Sequence, residues 1–448
     1  MIDVLNGDLH KSYRQFLFPA VGSAAVIAAY SFVDSIAVGQ GVGPNGTAAV
    51  AVVVAVYSII QMIANIFGVG GSVLMSKARG EGKEGKANAY YTASALWTAV
   101  VTAAVWILLL LFQNPFYRFF GANELLMPYV CDYGKWIVGF FPVSVAVTFL
   151  GSFIRCDGNP RLVMIATVVG AGVNMFGDWL LVFPLNMGMA GAAIATEMGT
   201  VAQVLILVTY FFSKKCTLKC ELPKKMSTAF KNIFSSGLGA GVPPLSVVAL
   251  LLVANNQIMR YADADALATY GMINTVGSLL MGIFTGVGQA VQPIASLNFG
   301  AKQYNRCCKV CKMGFFTVFL LGVISTALCE AIPMEITHLF MKTTSGVEAL
   351  APYIVRVYGA SFLPLALNIF IILYLQCVGK EKTAAFISLM RGLVLNCTLI
   401  YLLPFIMKIN GVWWGIFIAE YAVGIFAVIY MITLNTRKGN KKYAIKDE

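Results

Sequence analysis

The sequence predicts an all-α integral membrane protein, with twelve transmembrane helices in two six-helix bundles related by a pseudo-two-fold axis. Three observations predict this. The 448 residues are 59% hydrophobic and only 12% charged. A soluble domain carries about 25% charged residues, and no water-soluble packing hides this much apolar surface. Apolar stretches long enough to cross a bilayer recur from Phe16 to Thr433. The two halves of the chain also carry the same landmarks in the same order.

The spans fall at 16–38, 50–74, 89–112, 133–155, 161–184, 189–212, 236–258, 266–297, 311–331, 352–378, 383–406 and 411–434. Each has about the 20 residues, or somewhat more, needed to cover the hydrocarbon. All are expected to be helical, because irregular backbone facing lipid leaves peptide groups unpartnered. The opening MIDVLNGDLHKSYRQ is polar, and the apolar stretch after it is too long for a signal h-region. The first span is therefore read as a membrane helix rather than a cleaved leader.

Alternating connectors place most of the 32 basic residues on one side. That side holds Lys11, Arg14, the 77–88 loop, Arg155, Arg161, the lysine-rich 213–235 segment, Lys302, Arg306, Lys309, Lys312, Lys380, Lys382 and the tail (Arg437, Lys438, Lys441, Lys442, Lys446). The other side holds Arg118, Lys135, Arg260, Lys342, Arg356 and Lys408, while Arg391 sits inside a span. The positive-inside rule then puts both termini in the cytoplasm. The expected location is the cell (plasma or inner) membrane.

The long 213–235 connector divides the spans six and six. The expected organisation is an N-terminal lobe at 1–212, a linker loop at 213–235, a C-terminal lobe at 236–434 and a basic tail at 435–448. Segment two ends in SVLMSKARG and segment eight in QPIASLNFG, with Ser76 and Ser296 each four residues before Gly80 and Gly300. Segment four exits as FIRCDGNPR and segment ten as YLQCVGKEK, which aligns Gly158 with Gly379. Weak similarity between six-helix halves is a transporter signature. Both halves start on the same side, so the repeat is parallel and the cleft between them is the natural substrate path.

The net charge of +12 does not point to nucleic acid, because the basic residues occupy short connectors as membrane topology requires. The cysteines read as reduced thiols and small apolar packers rather than as a metal site. With two histidines and no HExxH-like spacing, an enzyme is not expected, and no cofactor is called for. A channel needs a ring of symmetric subunits, whereas one twelve-span chain serves as a monomeric transporter.

Of the 20 acidic residues, four fall inside spans: Asp34, Asp178, Glu197 and Glu420. A charge there costs roughly 2.5–3.5 kcal/mol on insertion scales and marks function by default. Counted along the helices, Asp34 lies roughly 8 Å from the outer end of span one and Asp178 roughly 9 Å from that of span five. Thr196 and Glu197 lie roughly 12–14 Å inside span six. Asn174 stands one turn from Asp178 on the same face. These groups form one layer in the first half, and clustered carboxylates in low dielectric bind a proton or, with Asn and Thr oxygens, a small hard cation such as sodium. Arg391 either snorkels or pairs with a carboxylate such as Glu420.

These residues resemble the multidrug and toxic compound extrusion (MATE) transporters along essentially the whole chain. The resemblance is carried by FLFPAVGS, SFVDSIAVGQGVG, GSVLMSKARGEGK, QPIASLNFGAKQYN, RCDGNPR and GVNMFGDWLL. It implies a V of two six-helix bundles and antiport of organic compounds, cationic or amphipathic, against protons or sodium. Within the family the chain is most similar to the DinF-like branch, which implies an ion site at Asp34, Asn174, Asp178 and Thr196. Pro19 is then the implied hinge of the first helix. Glu197, Glu420 and Arg391 are secondary candidates. The sister branch has a glutamate on helix seven, but PPLSVVALLLVANNQIM carries no carboxylate. A lipid-linked oligosaccharide flippase of the same superfamily is the closest rival, and its phosphate-bearing cargo calls for more basic residues in the cavity than Arg391.

Overall fold

A computed structural model describes residues 4–341 and 343–444, with side chains at 44, 264 and 435–444 excepted. Lys342, the basic side chains from Arg437 to Lys442, and Lys446 lie outside the described residues. Among those described, every regular element is helical. Twelve spans follow in order: α1 Leu9–Gly41, α2 Asn45–Gly80, α3 Glu84–Leu111, α4 the pair Met127–Gly139 and Phe141–Cys156, α5 Pro160–Val182, α6 Gly188–Phe212, α7 Met226–Tyr261, α8 Asp265–Gly300, α9 Tyr304–Ala331, α10 Ser345–Cys377, α11 Glu381–Met407 and α12 Asn410–Leu434. The outward faces are apolar, for example Leu96, Val100, Ile107 and Leu111 on α3 and Ile425, Ile429 and Ile432 on α12. Large exposed side chains of this kind belong against lipid tails, and the chain is a multi-pass membrane protein.

Two elements differ from the sequence reading. The fourth span is bent by 51° at Phe140. Pro142 has no N–H to give the Val138 carbonyl, and the Trp106 indole Nε1 donates to that oxygen instead at 2.7 Å. The linker read as loop over 213–235 is loop only to Lys225, since α7 already begins at Met226. Its first turns place Met226, Ala229, Phe230 and Ile233 on one stripe, packed into the core of the first half, and this burial draws the segment into a helix.

The remaining loop is strapped beneath the first half by Asp157. That carboxylate accepts from Arg79, from the Thr217 hydroxyl and backbone N–H, and from the Tyr210 hydroxyl. Asn88 Nδ2 donates to Glu221 Oε1 at 2.8 Å.

The repeated landmarks meet across the pseudo-two-fold. A Cβ on Gly80 would run into the carbonyl oxygen of Leu297, and one on Gly300 into that of Lys77. This is a reciprocal crossing of α2 and α8 at the basic end. Gly158 and Gly379 both have positive φ, 90° and 74°, so the corresponding turns share the conformation that favours glycine. Beside the crossing, Lys77 Nζ donates to the Gln376 carbonyl at 2.8 Å and to Glu381 Oε1 at 2.6 Å, tying the halves together.

Helix α1 touches both halves. Tyr13 and Phe16 pack into the core of the second half, and the Tyr13 hydroxyl donates to Thr317 Oγ1 on α9 at 2.9 Å. Farther along, past Pro19 inside the helix, α1 carries Asp34 toward α5 and α6.

Candidate ion-coupling site and central cavity

Helices α5 and α6 pack closely because small residues line their seam. Gly177 sits on Ala195, and Gly170 and Gly199 approach each other's backbone. That close approach lets short polar side chains reach across. Asn174 Nδ2 of α5 donates to Thr196 Oγ1 of α6 at 3.4 Å, and the Thr196 hydroxyl donates back to the Ala192 carbonyl. Asp34 of α1 faces the same hydroxyl, and Asp178 is close enough to Asp34 to feel its charge. The four residues implied as the ion site thus stand together.

The carboxylates of the cluster lack donors, as does Oε1 of the neighbouring Glu197. Asp178 is 1% exposed. Both of its carboxylate oxygens, together with Asp34 Oδ1 and Asn174 Oδ1, are buried with no hydrogen-bond partner among the described residues. Unpaired buried acceptors cost roughly 1–3 kcal/mol each, more when charged. A proton shared between the carboxylates, or a small cation among the oxygens, satisfies them.

Glu197 shares the depth but not the face. It turns toward α4, where the Ser144 hydroxyl reaches its Oε2 at 3.4 Å. Two tyrosines that the sequence reading did not single out belong here. The hydroxyls of Tyr57 and Tyr133 face each other, and Tyr133 also faces Thr196. Tyr133 lies roughly 9 Å inside α4, the depth of Asp178, a signal it shares with tyrosines such as Tyr270 of α8.

Arg391 and Glu420 form a separate centre in the second half. Arg391 Nε lies 2.9 Å from both Glu420 oxygens. Asn368 Nδ2 donates to Glu420 Oε2 at 2.9 Å, and Asn396 Nδ2 reaches Oε1 at 3.5 Å. Arg391 stands in a π-helical turn, Met390–Leu395, a distortion frequent at functional sites.

Between the halves lies a cavity of about 310 Å³. Tyr57, Gln61 and Asn65 of α2, Pro243 and Pro244 of α7, Gln289 of α8, and Ile369 and Leu373 of α10 line it. Arg391 is its one charged lining residue among those described. The paired prolines leave the carbonyls of Gly239 and Ala240, also in the wall, without helical N–H partners.

The MatE family model matches residues 19–180 and 232–402, most of both halves. The chain belongs to the MatE family. This MatE protein is 22% identical over 430 residues to the multidrug export protein MepA of Staphylococcus aureus (strain NCTC 8325 / PS 47), covering 95% of this chain and 94% of the relative. It is 22% identical over 436 residues to the MepA of Staphylococcus haemolyticus, covering 96% and 94%. Among solved structures, the outward-facing conformation of a multidrug resistance MATE family transporter of the MOP superfamily matches with TM-score 0.89 at 19% identity, over 98% of both chains. A MOP superfamily transporter from Pyrococcus furiosus Vc1, described as having a binding pocket of reverse polarity, matches with TM-score 0.87 at 20% identity, over 95% and 96%. These likenesses establish the V-shaped MATE fold for the MatE chain.

Proposed function

We propose that this MatE protein is a monomeric secondary antiporter of the cell membrane that expels amphipathic organic compounds in exchange for protons or sodium ions. The observation that carries the reading is the set of donor-starved oxygens on Asp34, Asn174 and Asp178. Both termini are cytoplasmic in this reading, so the Gly80–Gly300 crossing closes the cytoplasmic side.

Each residue then has a role. Asp34 and Asp178 take the ion from outside, while Asn174 and Thr196 hold the surrounding network. A protonated Asp178 donates to Asp34 or to Asn174 Oδ1, and sodium instead gathers the same oxygens. Helix α1 carries the effect, because one end bears Asp34 and the other is seated on α9 through Tyr13. Pro19 removes one helical hydrogen bond between these ends and serves as the flexing point. Coupling follows because the conformations bind ion and substrate with different affinity.

The test is transport in proteoliposomes with pH and sodium gradients imposed separately. One gradient should drive efflux, and Asp34→Asn should abolish it in a folded protein. Full gradient-driven efflux in that variant would sink the assignment.

A further inference from the structure

Arg391 is buried, is not used by the ion layer, and is built into its place with unusual care. The Nε side of its guanidinium is occupied by the Glu420 carboxylate at 2.9 Å. Glu420 is held from behind by the side chains of Asn368 and Asn396, and Asn396 Nδ2 also donates to the Arg391 carbonyl at 2.6 Å. Yet Arg391, and not Glu420, lines the central cavity. The pair is therefore a fixed dipole with its positive end in the cavity wall and its negative end behind it.

A guanidinium carries five N–H donors in a planar fork. Nε uses one on Glu420, and no hydrogen bond or ion pair to another group engages the terminal nitrogens among the described residues. Around this cation the wall is apolar (Pro243, Ile369, Leu373) or carries neutral amides and hydroxyls (Gln61, Gln289, Tyr57). No carboxylate lines the cavity among the described residues. The one charge in the wall among the described residues is a cation, which disfavours an organic cation beside it. An oxyanion finds a preorganised fork in a largely apolar wall, where charge-assisted hydrogen bonds are strong.

We propose that the free edge of Arg391 is the substrate-recognition group of the central cavity, and that the preferred cargo is an amphipathic organic molecule bearing a carboxylate or sulfonate. The inference rests on the reading of this cavity as the transport site. Glu420, Asn368 and Asn396 are positioning residues: they aim the guanidinium and leave its outer edge for the ligand. The π turn at Met390–Leu395 presents Arg391 to the cavity.

The test uses the full chain in nanodiscs, with empty-disc signal subtracted, and three fluorescent probes. Anilinonaphthalene sulfonate is the anion, its parent phenylnaphthylamine is the neutral match on the same rings, and ethidium is the cation. The sulfonate should bind about tenfold more tightly than the neutral parent, the order expected of one hydrogen bond to a charged group. The paired variant R391Q/E420Q removes both charges and leaves no buried ion alone. It should bind the two naphthalene probes equally, whereas Arg391→Lys should keep part of the preference. Equal binding of both probes by the unmodified chain, tighter binding of ethidium, or an undiminished preference in R391Q/E420Q would each overturn the proposal. Unmodified protein and Arg391→Lys decide the matter if the paired variant does not fold. Efflux of the same probes from proteoliposomes separates the two readings. Transport without anion preference sinks the Arg391 assignment alone. Arg391-dependent binding without transport of any probe sinks the antiporter reading and leaves the binding site standing.

Discussion

The two halves share a fold and handle buried carboxylates in opposite ways. In the first half, Asp178 and Asp34 keep oxygens without donors, and Asn174 turns a carbonyl oxygen into the same space. In the second half, both Glu420 oxygens are filled by Arg391, Asn368 and Asn396. The carboxylates of the first half are short of donors and that of the second is filled, although the amide oxygens of Asn368 and Asn396 beside Glu420 also lack partners among the described residues. In the proposed antiporter, a filled carboxylate has little to gain from an ion crossing the membrane, whereas the donor-starved pair is completed by one. In that reading, satisfaction of the carboxylate oxygens, rather than burial or depth, separates the proposed coupling site from the proposed recognition pair.

The comparison can be broken most forcefully at Glu420. Glu420→Ala leaves Arg391 buried without its counter-charge and should cost about 3–5 kcal/mol, read as a large drop in thermal stability of the purified protein. The next effect in size belongs to the contact between the halves. Lys77→Ala removes hydrogen bonds to Glu381 and the Gln376 carbonyl. It should weaken closure of the basic end by about 1.5–3 kcal/mol, seen as longer distances between spin labels on the ends of α2 and α11. Asp178→Asn is the counter-case to Glu420→Ala. Its carboxylate oxygens make no protein hydrogen bond, so stability should stay within about 1 kcal/mol while gradient-driven efflux falls to background in the proteoliposome assay. A loss of stability as large as that of Glu420→Ala would erase the contrast.

The smallest effect is expected at the start of α1. Asp8 caps this helix by accepting from the N–H groups of His10 and Lys11. Those backbone donors, the former first, hold its carboxyl below the usual carboxylate range. A depressed folded pKa means the cap contributes fully above the ordinary Asp value near 3.9 and is lost as pH falls through the folded one. Protection of the first-turn amides of α1, measured as exchange relative to the intrinsic rate at each pH, should fall on acidification through that window. Protection already absent at neutral pH would show that the cap does not hold this turn.

Much of this architecture was legible in the chain because bilayer thickness sets helix length and the apolar spans are cleanly separated by polar connectors. The internal repeat was legible too, since Gly80 and Gly300 are spaced alike from Ser76 and Ser296 and pack on one another's helices. The bend of α4 was not, because a proline announces a broken hydrogen bond but not that Trp106 lies within reach to replace it. The early start of α7 was hidden by the lysines just before it and by Lys231 within it, which mask an apolar stripe of only a few residues. At the site, depth counting placed Asp34, Asn174, Asp178 and Thr196 in one layer, but depth carries no rotation. Thr196 and Glu197 are neighbours about 100° apart around α6, and it is Thr196 that meets Asn174 and Asp34. The glycine seam of α5 sets that rotation, a packing fact rather than a composition. Tyr57 and Tyr133 were not found because a tyrosine inside a span carries no charge to mark it, and the sequence holds 19 of them.

The glycine crossing of α2 and α8 has a bearing on how such a chain diversifies. Where Gly80 and Gly300 lie against the opposite backbone, the two halves touch peptide on peptide, and the same holds where Gly70 lies against Gly237. Surfaces without side chains interpose few knobs, so in the proposed antiporter this crossing can part and re-form with little rotamer change once the Lys77 ties are released. The contact between the halves is then written in glycine and the proposed cargo preference in the cavity wall, at different positions. In that reading, residues such as Gln61, Ile369 or Arg391 can be exchanged over evolutionary time to suit new compounds while the contact between the halves stays the same.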